Sequence, residues 1–262
     1  MALAGVTLVW DDPLMGPRSG VLLNLPQLPY EVAWQLQKTL MAERVEDRRP
    51  DTLVLVEHER VFTLGRTTKE AHWGGEADLL RSQGFGVYEI ERGGSVTYHG
   101  PGQIVGYPIL RLRDYCSGPK AYMRMLGEVI IRVLGEWGIQ GQRAEKQIGI
   151  WVSDPQHLDG PLAKIAAMGV RITRGVTMHG FALNVSVDLE PFSRIVPCGI
   201  EGCQVTSMAE VLGRGPDLSA VREQVARHFA EVFGLEWKEK FTEAPLTFTF
   251  PATNQIPHPP HT

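Results

Sequence analysis

The stretch AKIAAMGVRITRGVTMHGFALNVSV, residues 163–187, restricts the chain to few folds. Two apolar, β-branched runs flank Thr173-Arg174-Gly175. Gly175 suits the positive φ that tight hairpin turns require, so the segment predicts an antiparallel hairpin. A hairpin this long does not fit a doubly wound parallel sheet. Further strands are predicted at TLVLVEH (52–58), within RVFTLGR, at GVYEIE (86–91), along QIVGYPILRL, at IGIWVS, and as a short candidate at 6–10. Helices are predicted over 29–46, over ADLLRSQG up to Gly84, and over 121–139. In the last of these Met125, Leu126, Val129, Ile130, Val133 and Trp137 recur at three- and four-residue spacings, opposite Arg124, Glu128, Arg132 and Glu136. Thr206-Ser207 and Asp217 are helix caps, the latter opening a helix over 218–234, and a polar loop covers DLEPFSRIVPCGIEGCQ. Helices and hairpins intermingle, which gives an α+β or mixed-sheet fold in one domain over 1–240. The Pro- and His-rich tail, 241–262, is expected to be partly disordered.

A chain of 262 residues buries a full core without staples. A formal charge of -4 argues against nucleic-acid binding through a basic surface. Cys116, Cys198 and Cys203 are too few, and odd in number, for a disulfide framework, and they form no CxxC pair. The N-terminus has no basic region followed by an apolar stretch and cleavage site, and no window approaches the ~20 apolar residues of a membrane span. A soluble, reduced, cytoplasmic protein without membrane contact is expected.

The densest ligand-like segment is ERGGSVTYHGPGQIVGYPIL, residues 91–110, with five glycines around an arginine, a histidine and a proline. It has no lysine, so it is not a P-loop, and it lacks the G-x-G-x-x-G spacing of dinucleotide sites. Cys198 sits at a Pro-Cys-Gly corner and admits two readings, a small buried hydrophobe or a nucleophile lifted onto a loop. Lys164 enters an apolar strand. It reads either as a strand-end lysine with its stem buried or as an acid-base group whose charge would favour a neighbouring thiolate. His99 (TYHGPG) and His179 (TMHGFA) fit structural roles, and no metal-ligand spacing is present. Arg92, Arg111, Arg113, Arg143, Arg171, Arg174 and Arg194 read as solvated surface or as a basic rim for an acidic partner.

RGGSVTYHGPGQIVGYPIL, KIAAMGVRITRGVTMHGFALNV and DLEPFSRIVPCGI, together with the upstream LVEHERVFTLGR, resemble in order and spacing the signature blocks of the lipoyl(octanoyl) transferases. The resemblance covers roughly residues 28 to 212. It implies an α+β single domain with a large mixed β-sheet flanked by helices, like that of biotin and lipoate protein ligases. It implies transfer of octanoyl from octanoyl-acyl carrier protein to a lysine ε-amine. The acceptors would be lipoyl domains of 2-oxoacid dehydrogenase complexes and the glycine-cleavage H protein. By the same resemblance Cys198 carries the acyl group as a thioester and Lys164 lowers its pKa and shuttles protons. Arg92, Gly93, Gly94, Ser95, Val96, Thr97, Tyr98, His99, Ala167, Met168, Gly169, Gly180, Phe181 and Ala182 line the acyl pocket. Thioester-to-amide transfer is downhill, so no cofactor, ATP or metal is expected, and backbone amides at the glycine corners would steady the oxyanion. A monomer is the simplest expectation. An ATP-dependent lipoate or biotin ligase, a thioesterase and a non-catalytic acyl-binding protein are the alternatives. The connection before Lys164, residues 153–163, is longer than the pattern expects, and Cys203 lies outside it.

Overall fold

The computed structural model describes residues 18–145, 147–153, 162–199 and 202–242. The strand expected at 6–10, nearly all of the 153–163 connection and the tail beyond 242 lie outside them. In chain order the elements are β1 (Arg18–Leu28), α1 (Tyr30–Val45), β2 (Asp51–His58), β3 (Val61–Leu64), α2 (Ala77–Ser82), β4 (Gly86–Glu89), β5 (Thr97–His99) and β6 (Gln103–Ile109). They continue with α3 (Pro119–Glu136), β7 (Gln142–Ala144), β8 (Gln147–Val152), β9 (Ala163–Thr173), β10 (Val176–Asn184), β11 (Gln204–Val205), α4 (Met208–Leu212), α5 (Leu218–Phe233) and β12 (Leu235–Phe241).

Among the described residues the main sheet has nine strands in the order β12-β1-β2-β6-β10-β9-β8-β7, with β11 beside β9. It is mixed: β1 runs parallel to β2 and β12, whereas β2, β6, β10, β9, β8 and β7 pair antiparallel. The hairpin joins β9 and β10 through Arg174 (φ 50°) and Gly175 (φ 79°), with Thr173 facing Val176. Positive φ at both positions matches the right-handed twist of the strands. α3 and α5 cover one face of the sheet and α1 the other. In β2, Leu53 and Leu55 join the α3/α5 core, whereas Val54 and Val56 join the α1 core. A strand covered on both sides reads as a continuous apolar run, which is why TLVLV was legible.

β4, β3 and β5 form a separate three-stranded sheet. Its own core contains Phe62, Phe85, Val96 and Tyr98, together with Val187, Phe192 and Ile195 from the segment that leads to the Pro-Cys-Gly corner. That segment, expected to be a loop, contains two 3-10 turns, Glu190–Arg194 and Pro197–Gly199. Ser207 and Asp217 cap α4 and α5 by accepting from the Glu210 and Ser219 amides.

Candidate active site

The α1 face of the main sheet carries a pocket where the small sheet and its Arg92–Gly94 loop fold over β9 and β10. It holds about 460 Å³ of atom-free space, its open mouth included. Of the fourteen residues assigned to the acyl pocket, Arg92, Gly94, Thr97, His99, Ala167, Met168, Gly169, Gly180, Phe181 and Ala182 line it. Glycine is obligatory where the chain crosses itself. A Cβ on Gly169 would stand 2.8 Å from the Gly93 carbonyl oxygen, and the Gly93 amide donates to Val170 O at 3.0 Å. A Cβ on Gly180 would lie 2.7 Å from Pro108 Cδ.

The other four expected residues serve elsewhere. Gly93 ties its loop to β9. Ser95 hydrogen-bonds His72 Nδ1 at 2.6 Å. Val96 and Tyr98 turn away because successive side chains of a strand alternate, so Thr97 and His99 face the pocket and their neighbours the small core. There Tyr98 meets Phe192 edge-on, centroids 5.4 Å apart, and so supports the segment running to Cys198.

A directional hydrogen-bond chain crosses the buried end of the pocket. Arg92 Nη2 donates to Thr63 Oγ1 at 3.0 Å, and that hydroxyl lies 3.5 Å from His99 Nε2. His99 Nδ1 donates to Gln103 Oε1 (2.7 Å), Gln103 Nε2 to Asn184 Oδ1 (2.8 Å) and Asn184 Nδ2 to Thr206 O (2.9 Å). The Thr206 amide then donates to Lys164 O at 3.0 Å. Arg92 only donates and Thr206 O only accepts, so the two ends fix one proton arrangement with His99 unprotonated at Nε2. Burial holds the His99 pKa down at about 3, helped by repulsion from nearby His58. His58, bonded to Leu28 O (3.0 Å) and Tyr107 Oη (2.7 Å), is lowered by burial to about 4. Tyr30 stacks on His99 at 8° between planes.

His179 lies in the left-handed region (φ 60°), with its amide held by Gln37 Oε1 at 3.0 Å. Its Nε2 is 3.9 Å from Glu91 Oε2, a contact rather than a hydrogen bond, and burial outweighs that carboxylate in lowering its pKa. Of the seven arginines read as solvated surface or as a basic rim, four face carboxylates: Arg111 with Asp47, Arg143 with Glu128, Arg171 with Glu91, Arg194 with Glu190.

Lys164 is 3% exposed. Its Nζ lies 4.6 Å from the centre of the Trp151 ring and, among the described residues, has no hydrogen-bond partner. A bulge explains its orientation. Trp151 pairs with Lys164 but Ile150 pairs with Ala166, so β9 carries one extra residue between them. Ile165 and Ala166 both enter the α3/α5 core, which leaves Lys164 on the face of Ala167 and Gly169. Gly149 (φ 134°) makes room for the lysine stem, since a Cβ there would lie 3.1 Å from Lys164 Cε.

Cys198 occupies the 3-10 turn Pro197–Gly199. The turn is held by the Val196 amide donating to His72 O (2.7 Å) and the Gly199 amide donating to Val196 O (2.9 Å). Six residues on, β11 runs alongside Ala163–Lys164, so the chain leaving the cysteine corner returns to the lysine. The glycine amides expected to steady an oxyanion are thus spoken for at Gly93 and Gly199. Cys116 is buried, which raises its pKa, and Cys203 is partly exposed. Tyr30, Tyr107, Val105 and His179 also line the pocket. Tyr107 was visible only as a polar-tipped aromatic inside an apolar strand. Tyr30 and His72 carried no local signal, because their contacts span tens of residues.

The family model for the lipoyl protein ligase A/B catalytic domain matches residues 29–230. Among curated relatives, the octanoyltransferase of Thermobifida fusca is 45% identical over 207 residues, 79% of this chain and 85% of the relative. That of Gloeobacter violaceus is 44% identical over 227 residues, 86% and 96% of the two chains. Among solved structures, a bi-partite lipoate protein ligase of Thermoplasma acidophilum superposes with a TM-score of 0.60 at 17% identity, covering 87% of this chain and 88% of that one. An ATP-bound lipoate-protein ligase A gives 0.61 at 18% identity, covering 87% and 90%. These two establish the likeness of fold.

Proposed function

The chain belongs to the lipoyl protein ligase A/B catalytic-domain family, and from that premise we propose that it transfers octanoyl groups through a Cys198 thioester assisted by Lys164. It is an acyltransferase, like its octanoyltransferase relatives. The donor is octanoyl-acyl carrier protein, and the acceptor is a lysine of a lipoyl domain or of the glycine-cleavage H protein. A reduced cytoplasmic setting suits a reaction that needs a free thiol, and among the described residues no helix is long and apolar enough to cross a membrane.

One observation carries this reading: a buried lysine amine, turned by a bulge onto the pocket face, beside the strand that returns from the cysteine corner. The Cys198 thiolate attacks the carrier thioester, a carbon–sulfur bond forms, the bond to the carrier sulfur breaks, and that sulfur takes a proton from the Lys164 ammonium. The lipoyl-domain amine then attacks the Cys198 thioester, the amide bond forms, and Cys198 leaves as thiolate. Lys164 receives the proton that the amine loses. The pocket walls of Val105, Ala167, Phe181 and Ala182 suit a hydrocarbon chain, each buried methylene contributing ~0.8 kcal/mol.

Intact-mass spectrometry after incubation with octanoyl-acyl carrier protein is expected to show one added octanoyl group, absent in Cys198→Ser. Lys164→Ala should lose transfer to a lipoyl domain across pH 6–9. A serine variant that transfers at the wild-type rate refutes the covalent route, and free octanoate as the product would make the chain a thioesterase.

A further inference from the structure

His72 lies outside every signature block, in the 3-10 turn Glu70–His72, yet it is the residue on which the cysteine corner rests. Its carbonyl accepts the Val196 amide, and a Cβ on Gly199, the residue after Cys198, would stand 3.0 Å from its ring Cε1 and 3.5 Å from both Nδ1 and Nε2. The other ring nitrogen is fully engaged: Nδ1 receives the Lys69 amide at 3.2 Å and the Ser95 hydroxyl at 2.6 Å. A backbone N–H only donates, so Nδ1 is the bare nitrogen and the ring proton sits on Nε2. The ring therefore lays its Cε1 edge against the cysteine corner and keeps one N–H donor there, held in orientation by the two bonds at Nδ1.

We propose that His72 is a further catalytic residue, whose Nε2–H donates to the oxyanion formed when the acyl group enters and leaves Cys198. The inference rests on the Cys198 thioester reading above. When the thiolate attacks the octanoyl carbonyl, the new carbon–sulfur bond pushes the C=O π pair onto oxygen, and that oxygen accepts from His72. The pair returns as the carrier sulfur departs, and the same bond forms and dissolves when the lipoyl-domain amine attacks. The Gly199 amide, which follows Cys198, is already committed to Val196 O, and the His72 ring supplies a side-chain donor at the same corner. Ser95 is then a positioning residue: it keeps Nδ1 bare and the ring aimed.

The test separates acylation of Cys198 from a reaction at the same sulfur that forms no oxyanion. Single-turnover loading from octanoyl-acyl carrier protein is followed by intact mass, and alkylation of Cys198 by iodoacetamide is followed by peptide mapping. His72→Ala keeps the backbone carbonyl that anchors the corner. It is expected to slow loading by about a hundredfold, the usual loss for one oxyanion donor, while alkylation stays within about twofold of wild type. His72→Gln, with an amide N–H near the Nε2 position, should recover part of the rate, and Ser95→Ala should lose about tenfold. Loading at the wild-type rate in both His72→Ala and Ser95→Ala overturns the proposal. So does a parallel fall in alkylation, which would mean that His72 acts on the sulfur rather than on the oxygen. Should wild type acquire no octanoyl group at all, it is the thioester reading that fails.

Discussion

Lowering the pH from 7 to 5 should weaken the fold through the buried histidines at the pocket. His58 and His99 are held at about 4 and about 3 by burial, against ~6.5 in an unfolded chain. Their folded pKa values lie below the unfolded one, so between those limits the unfolded chain binds more protons and stability rises with pH. Read downward, stability is lost as the pH falls below ~6.5, at ~1.4 kcal/mol per pH unit per histidine. From pH 6 to 5 the two together should remove about 2–3 kcal/mol. His179, lowered by the same cause, adds in the same direction. Glu91, held at about 2 by the facing His179 ring and the Arg171 guanidinium at 3.0 Å against its own burial, loses its contribution only as the pH falls from ~4.5 toward 2, outside this window. Thermal unfolding followed by tryptophan fluorescence at pH 7, 6 and 5 measures the effect directly, with Tm falling by roughly 5–10 °C over the last step. A His58→Gln, His99→Gln variant should start less stable and show a flatter slope. A midpoint that does not move between pH 6 and 5, or a wild-type slope in that variant, refutes the assignment of neutral buried histidines.

Two substitutions test the frame around Lys164. Gly149→Ala places a methyl group 2.8 Å from Ala166 O and 3.1 Å from Lys164 Cε at φ 134°. It should cost about 1–3 kcal/mol by urea denaturation and slow octanoyl transfer to a lipoyl domain more than loading of Cys198. Asn184→Leu strips a donor from Thr206 O and an acceptor from Gln103 Nε2 inside the core. It is expected to cost about 2–4 kcal/mol, and an unchanged denaturation midpoint would show that the chain from His99 to β11 holds nothing together.

What the sequence revealed depended on whether a segment's neighbours are local. α1, α3, α5 and the β9–β10 hairpin carry their signals within themselves, in apolar spacing, in the Asp217 cap of α5 or in the turn at Gly175, and they fold within a few residues of expectation. β1 was missed because Asn24, Pro26 and Gln27 break its apolar run, and the fold accommodates the proline through a register shift between Asn24 and Gln27. β12 was missed because Glu236, Lys238, Glu239 and Lys240 make it polar, as suits an exposed edge. β5, β7 and β11 are two or three residues long and exist only through their partners. At the site, the blocks located the pocket but not its faces. RGGSVTYH reads as one motif, yet Thr97 and His99 turn to the pocket while Val96 and Tyr98 secure the segment before Cys198.

Lys164 shows how little separates a lysine closed inside the core from one turned to the pocket's face of the sheet. In an unbroken strand Lys164 shares a face with Ala166, and that face is closed by α3 and α5, whose packed side chains are overwhelmingly apolar. One extra residue in β9 reverses this, because the side-chain period of a strand is two and a single insertion moves everything before it to the other side. The inversion works only with Gly149 beneath the lysine stem, Trp151 beside the amine and β11 tying the Lys164 carbonyl through Thr206. The same β11 ends the excursion that carries Cys198 and begins the hydrogen-bond path back to His99. The bulge, the missing side chain at Gly149 and the two-residue strand therefore act as one device. It turns a lysine to the pocket's face of the sheet while the chain that bears the cysteine is brought alongside.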